Sequence, residues 1–533
     1  MRATTNILTA ATIAILLGCE GTDPPAAAAN GGPNGGSDAD GGGVVTSVDG
    51  GSPVGHPEGG TSDAEGGTGT RDGGPDAPSE GGPPTSWGPG LLFPNGIEPG
   101  DPAACEAPSG KRCWWVDADA TKGGDGSFAM PYNSFERVAG HTENGTDYVQ
   151  GLIQGGDFLY VKGIFRASAH NELDNNMRIV LGRSAQGGTP SAPTTIKSWR
   201  GSPRAVWDGE YLFNDLIGIH ANPAIRIQNV EVTRANGRGM VIGESVEWAE
   251  VVSVVVHDGK GDNYDGVGGG VVFWMTDLLH RFTLRNSLIY SNLRDYPPGL
   301  GDNNVGGVGI LSEPGALNGS VIDIYDNVIY DEIRAVRHKH SGPVLMRAYD
   351  NLIYDSVTGF YMRGFFNEVH HNVIINMKEA AFHSASPADS QGDVEARLSH
   401  NTVYQAGNLL MADGDHPVFQ RIMHLHDNLF SSPTPCDGVL YMGRWSGEDV
   451  RTTGWTFGNN LYFYPSGSTF LYHRESGNAV TLQDIQAGLA HLGDGTSRFG
   501  DPLLQAPGQR DFRLMPSSPA LGTASDGANI GAF

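Results

Sequence analysis

The sequence predicts an all-β chain: a single-stranded, right-handed parallel β-helix, a solenoid built from stacked coils. Three observations carry this. Apolar strings that open on Asn recur along the chain: Asn229-Val-Glu-Val, Asn286-Ser-Leu-Ile-Tyr, Asn327-Val-Ile-Tyr, Asn351-Leu-Ile-Tyr, Asn372-Val-Ile-Ile, Asn401-Thr-Val-Tyr, Asn428-Leu-Phe and Asn460-Leu-Tyr. From Asn327 onward their spacings are 24, 21, 29, 27 and 32 residues. That suits a coil of about three short strands, whereas a propeller blade needs about 40–50 residues. Helical periodicity is absent except around residues 132–139. At 533 residues the chain is long for one compact core but natural for a fold that grows by repetition.

The chain opens with Arg2 and an apolar run over residues 7–17, then Leu16-Leu17-Gly18-Cys19. A short apolar stretch behind one basic residue reads as a signal peptide over residues 1–18, too short to span a membrane. The Leu-Leu-Gly-Cys run resembles the bacterial lipobox. That resemblance implies cleavage before Cys19 and lipidation of its sulfur, which would hold the exported protein at the outer membrane or cell surface through lipid alone. Residues 20–86 are nearly all Gly, Pro, Asp, Ser, Ala and Thr and show no apolar period, so the segment 19–86 reads as a lipidated Cys followed by a disordered tether. The tether carries seven Asp and four Glu against Arg71 alone.

Residues 87–533 form the predicted β-helix body. With a formal net charge of −26, the chain is a poor partner for nucleic acid. That charge does not exclude an anionic glycan, the expected partner, which requires a locally basic cleft. Of the four cysteines, Cys105 and Cys113 are close enough to close a small loop, and export makes that disulfide plausible; Cys436 is left over. No Cys/His spacing matches a zinc site. Asn at a repeated turn has a physical reason: it tolerates left-handed backbone angles, and its amide can bond to the next coil. A monomer is expected.

The ends of the body carry further signals. Trp114-Trp115-Val116-Asp117 with Gly124-Asp-Gly-Ser and Pro131-Tyr132 resembles the opening of pectate-lyase-like β-helix proteins. The tail, Asp511-Phe-Arg-Leu through Ser518-Pro519-Ala520 to Asn529-Ile530-Gly531-Ala532-Phe533, resembles their last coil. Such likeness speaks to fold only.

The densest cationic run is Arg334-Ala-Val-Arg337-His338-Lys339-His340. Aligning Gly309-Ile-Leu-Ser-Glu313, Ala335-Val-Arg-His-Lys339 and Gly359-Phe-Tyr-Met-Arg363 on their small first residues turns Ile310, Val336 and Phe360 inward. Glu313, Lys339 and Arg363 then form one outward column, with Trp274 near it. Leu311, Arg337, Tyr361 and His383 form the neighbouring column. This arrangement, with Lys339-His340-Ser341 followed by Arg363-Gly364 and Asn367-Glu-Val-His-His-Asn372, resembles the alginate lyases and chondroitinase B of polysaccharide lyase family six. The resemblance covers about 45 residues. It implies Lys339 as base and Arg363 as the group that neutralises a carboxylate. It also implies calcium, for which Glu313, Glu332 and Asp302 are the candidate ligands. His340 stands between Lys339 and Ser341, and Phe365 replaces the family's His after the Arg.

The residue types suit the chemistry. The C5 proton of a uronate is weakly acidic, so its carboxylate charge must be offset before a base can remove it. Arg is a permanent cation that grips a carboxylate, and a Lys among cations gives up its own proton more readily. Tyr361 or His383 would protonate the leaving oxygen; Arg337, His340 and Trp274 would bind the sugars. The functional expectation is a cell-surface polysaccharide lyase acting on alginate, pectate or a glycosaminoglycan. Its alternatives are a non-catalytic glycan-binding or adhesive β-helix and a glycoside hydrolase, although the clustered Asp and Gly-His-Gly of polygalacturonase-type hydrolases are absent. A second acidic stretch, His257-Asp258 through Asp262 to Asp265, lacks a full calcium-loop pattern and reads as a connection.

Overall fold

The computed structural model describes residues 91–533 apart from 144–146, 171–178, 182–183, 221–222, 244, 261–268, 277, 293–305, 313–315, 340–341, 386–393, 413–420, 433–438, 443, 446–447, 450–453, 466–469, 474–478 and 481–495. The signal peptide, Cys19 and the tether lie outside the described residues, as does Cys436.

Three parallel strand ladders run the length of the body. The first holds 12 strands, from Cys113–Asp117 to Thr456–Gly458. The second runs from Ile164–Arg166 to Arg498–Phe499, and the third from Ile179–Leu181 to Leu471–His473. Each coil gives one strand to each ladder; in two coils the second and third strands merge, as Val373–Ser384 and Thr402–Ala412. Parallel neighbours joined by same-sense crossovers make a right-handed parallel β-helix. The short helix expected near residues 132–139 is Glu136–Ala139.

Alternation fills the interior. In Val344–Tyr349, Val344, Met346 and Ala348 enter the core while Leu345, Arg347 and Tyr349 face out. Apolar columns from successive coils merge into one continuous core from Trp114 to Phe470.

A buried amide ladder runs along one bend. The Asn327 N–H and Nδ2 both donate to Asn351 Oδ1, at 3.1 and 3.0 Å. The pattern repeats through Asn372, Asn401, Asn428 and Asn460, and ends where Asn460 N–H donates to Ser497 Oγ at 2.9 Å. Each amide also donates to a backbone carbonyl of the preceding coil, as Asn372 does to Ala348 at 2.9 Å. Every polar atom of these buried side chains thus has a partner, as burial demands.

The left-handed turn residue is not the ladder Asn, as the sequence suggested, but the residue before it. Asp326, Asp350, His371, His400, Asp427 and Asn459 have φ between 52° and 60°. The bend needs one left-handed residue, and the next one then directs its side chain into the coil. Asn286 is itself left-handed, at φ 50°, because its string is offset by one: Leu288 pairs with Val328, so Ser287 is the equivalent of Asn327.

The C-terminal segment is not a further coil. Phe512, Ala520, Ile530 and Ala532 pack on Val328, Leu352, Val373, Leu429 and Leu461, the outward side of the second ladder. Arg510 reaches Asp355 at 3.4 Å, and Ser525 Oγ donates to Asp427 at 2.6 Å. An outward apolar column needs cover, and the tail supplies it. At the other end the Cys105–Cys113 disulfide is formed. Beside it Lys197, almost wholly buried, lies 2.7 Å from Glu98 and 2.9 Å from Glu106.

Candidate active site

The candidate residues lie on the third ladder, in strands Val308–Ser312, Arg334–Lys339, Thr358–Met362 and Val373–Ser384. Pairing sets Val336 beside Phe360, Arg337 beside Tyr361, and Tyr361 beside His383, as alternation predicted. Arg363 follows in register: its N–H donates to His338 O at 2.8 Å, which brings it level with Lys339 one coil away. Adjacent coils are about 4.8 Å apart, so these two side chains leave neighbouring points on the same face.

One coil is displaced from expectation. Ile310 pairs with His338 and Leu311 with Lys339, so the segment from Val308 sits two residues away from the expected alignment. The small residue equivalent to Ala335 is Gly307, not Gly309: a Cβ on Gly307 would lie 2.2 Å from Ala335 O. The two glycines are two residues apart, so the in-out parity survived while the column changed. The expected Glu313–Lys339–Arg363 column is therefore replaced by Trp274, Leu311, Lys339 and Arg363, with Trp274 two coils before Lys339. Trp274 packs with Val272 and Leu311 in an outward cluster separate from the core. Glu313, Asp302 and His340 lie outside the described residues.

Cations and aromatics interlock on this face. The Arg334 guanidinium lies 3.8 Å from the Tyr361 ring centre and that of Arg337 5.3 Å. The Tyr361 and His383 rings meet edge to face at 4.8 Å. Arg337, Tyr361, His383 and Lys339 are all buried though they point away from the core cluster; Arg363 is half-buried. Four cationic side chains, Arg334, Arg337, Lys339 and Arg363, stand on two adjacent coils at positions of low solvent exposure, where charge interactions are less screened.

His338 faces the opposite way. It lies within the coil between Ile310 and Met362, fully buried, and its Nδ1–H donates to Asn367 Oδ1 at 2.9 Å. Burial pulls its pKa down to about 4, so it is neutral in the folded protein near pH 7. A Cβ on Gly364 would lie 2.1 Å from the His338 ring, so only glycine fits directly after Arg363. His338 and Asn367, whose Nδ2 donates to Gly364 O at 3.0 Å, hold the turn that carries Arg363. The neighbouring Arg363-Gly364 and Asn367 were visible in the sequence; this buried contact was not.

Glu332 has a different setting from the calcium ligand the family likeness implies. It is buried, accepts from Asn292 Nδ2 at 2.8 Å, and burial pushes its carboxyl well above the usual carboxylate range. Its Oε1 is thus engaged by an amide inside the protein rather than presented to solvent. Among the described residues no group of three or more His, Cys, Asp and Glu is disposed to hold a metal. In the second acidic stretch, His257 lies between Glu231, at 3.3 Å, and Asp258, at 2.9 Å.

Three ladders, short coils and a buried Asn ladder define the architecture. The fold is a pectate-lyase-like parallel β-helix. No protein-family model matches the sequence, and neither does any curated protein. Among solved structures, the chain is similar to pectate lyase Pel9A at 15% identity, with 80% of this chain and 96% of that one covered and a TM-score of 0.46. It is similar to the GH136 lacto-N-biosidase from Eubacterium ramulus at 12% identity, covering 73% and 68%, with a TM-score of 0.41. It is also similar to an alginate lyase from Paenibacillus sp. str. FPU-7 at 15% identity, covering 56% and 91%, with a TM-score of 0.32. These neighbours are two polysaccharide lyases and a glycoside hydrolase on the β-helix fold, and likeness at this level says nothing of chemistry.

Proposed function

We propose that the protein is a polysaccharide lyase that cleaves a uronate-containing glycan (alginate, pectate or a glycosaminoglycan) by β-elimination. The observation that carries this is the pair Lys339 and Arg363, level with each other on adjacent coils of one basic face. In this reading Arg363 grips the sugar carboxylate, and Arg337, wholly buried on the same coil as Lys339, adds positive charge. Lys339 Nζ accepts the C5 proton, and the electron pair left behind forms the C4–C5 double bond. The C4–O4 bond breaks with its pair on oxygen, which takes a proton from Tyr361 or His383. Trp274, two coils away in the same column, offers an apolar ring to a sugar further along the chain. Calcium has no step in this mechanism.

The same proposal places the enzyme outside the cell, held by lipid on Cys19 and lifted by the acidic tether, and acting as a monomer. A second reading, a non-catalytic glycan binder, draws on the complete burial of Arg337 and the near-complete burial of Tyr361, which suit packing as well as chemistry. Incubation with alginate, pectate, heparan and chondroitin separates these readings. A lyase gives an ultraviolet-absorbing unsaturated product on at least one polymer. A hydrolase gives saturated ends, and a binder gives retention without product. Absence of unsaturated product from every polymer would remove the lyase.

A further inference from the structure

A cavity lies on the outward side of the first ladder, away from the third-ladder face that carries Lys339 and Arg363. It measures about 260 Å³. Its floor is one register column taken from four successive coils: Val321, Leu345, Phe366 and Glu395. The alternate residues Ile322, Met346 and Ala396 enter the core, so this column faces out. Phe366 is 40% exposed, an unusual state for a large aromatic ring, and it begins only three residues after Arg363.

The polar rim differs in kind from the basic face. Arg397 Nε donates to Glu395 Oε1 at 2.9 Å, and the same guanidinium lies 3.6 Å from Glu368. One cation is thus tied between two carboxylates, and the rim keeps a net negative charge. Asn318 adds an amide at the opposite edge. The apolar part of the floor, Val321, Leu345 and the exposed Phe366 ring, suits the C–H face of a pyranose, and the carboxylates of Glu395 and Glu368 with the Asn318 amide suit its hydroxyls. The net charge works against an anionic sugar, which the neighbouring face would favour.

We infer that this cavity is a binding site for a neutral hexopyranose, formed by Leu345, Phe366, Glu368, Glu395 and Arg397. The site is independent of β-elimination: it would hold a neutral sugar whether or not Lys339 is a base. A single hexose of ordinary size fits the volume.

The test is saturation-transfer NMR on the full chain with the methyl glycosides of glucose, galactose and mannose, and with the methyl glycoside of galacturonic acid, its carboxylate free, as the anionic comparison. At least one neutral glycoside should receive transfer. Phe366→Ala should weaken that binding at least fivefold and Glu395→Gln should weaken it measurably, while Lys339→Ala should leave it unchanged. Since Phe366 is exposed, its loss should not unfold the chain, and circular dichroism checks this. Transfer to none of the neutral glycosides, equal binding by Phe366→Ala, or tighter binding of the uronate would each overturn the site. Displacement of the sugar by a lysine-rich peptide at lower concentration would also overturn it, since the acidic rim would then serve a cationic partner.

Discussion

A histidine between Arg337 and Lys339 would be drawn into many mechanisms, but parity turns His338 into the core. The sequence carried this much: strand alternation sets its side opposite that of its neighbours. What it could not carry is the consequence for pH. The pKa of His338 falls from 6.5 to about 4 through burial. A histidine depressed in the folded state stabilises the fold fully above its unfolded value. That contribution drains as pH falls from 6.5 towards 4, because only the unfolded chain takes up the proton in that window. For His338 the loss amounts to roughly 3 kcal/mol by pH 4. His370 and His371, also brought down to about 4 mainly by burial, add to the same slope. Asp350, raised by burial to about 6, opposes it, since its protonated form stabilises the fold at low pH. Replacing His338 by Met should therefore flatten the loss of stability between pH 6.5 and 4, measured by urea unfolding. An unchanged slope would show that His338 is not held neutral. For Arg363, substitution by Lys keeps the charge but loses the two-pronged grip on a carboxylate, and kcat/KM on a cleaved polymer should fall about 10–100-fold.

At the scale of the element, the recurrent Asn strings made the coils legible but misplaced the bends by one residue. Asp, Asn and His all tolerate left-handed angles, so spacing alone does not say which of two neighbours takes them. Asp350-Asn351 and His371-Asn372 settle it by division of labour: the first bends and the second bonds. The same limit displaced the Val308–Ser312 strand, where Gly307 and Gly309 were equally good starting points for an alignment. Asn372 tests the ladder. Its Oδ1 accepts from Asn351 N–H and Nδ2, and its Nδ2 donates to Asn401 and to Ala348 O. Asn372→Ala leaves the buried Asn351 N–H without its acceptor and strips one bond each from Asn351 Nδ2, Asn401 Oδ1 and Ala348 O, and should cost about 2–4 kcal/mol, read as a lowered thermal midpoint. A midpoint within a degree or so of wild type would mean that the ladder decorates the bend without holding it.

For the whole molecule, the coil repeat was readable because it rests on local pattern. The C-terminal cover was not, because it rests on contacts such as Arg510 with Asp355 and Gly531 with Asp427, far apart along the chain. The first-ladder cavity escaped for the same reason: Val321, Leu345, Phe366 and Glu395 share a column only once the register of four coils is known. The proposed anchor is tested by detergent partitioning after expression in a lipoprotein-competent bacterium. Wild type should enter the detergent phase and Cys19→Ala the aqueous phase; identical partitioning would remove the lipid from the account.

The basic face is where fold, charge and chemistry meet, and one comparison addresses it directly. Wild type and Lys339→Ala should be incubated side by side with the uronate polymer that gives the strongest ultraviolet signal, and the initial rates of unsaturated product compared. Loss of a general base predicts a fall of about a hundredfold or more for the variant, with its folded circular dichroism intact. A folded Lys339→Ala protein that forms the product at the wild-type rate would contradict the assignment.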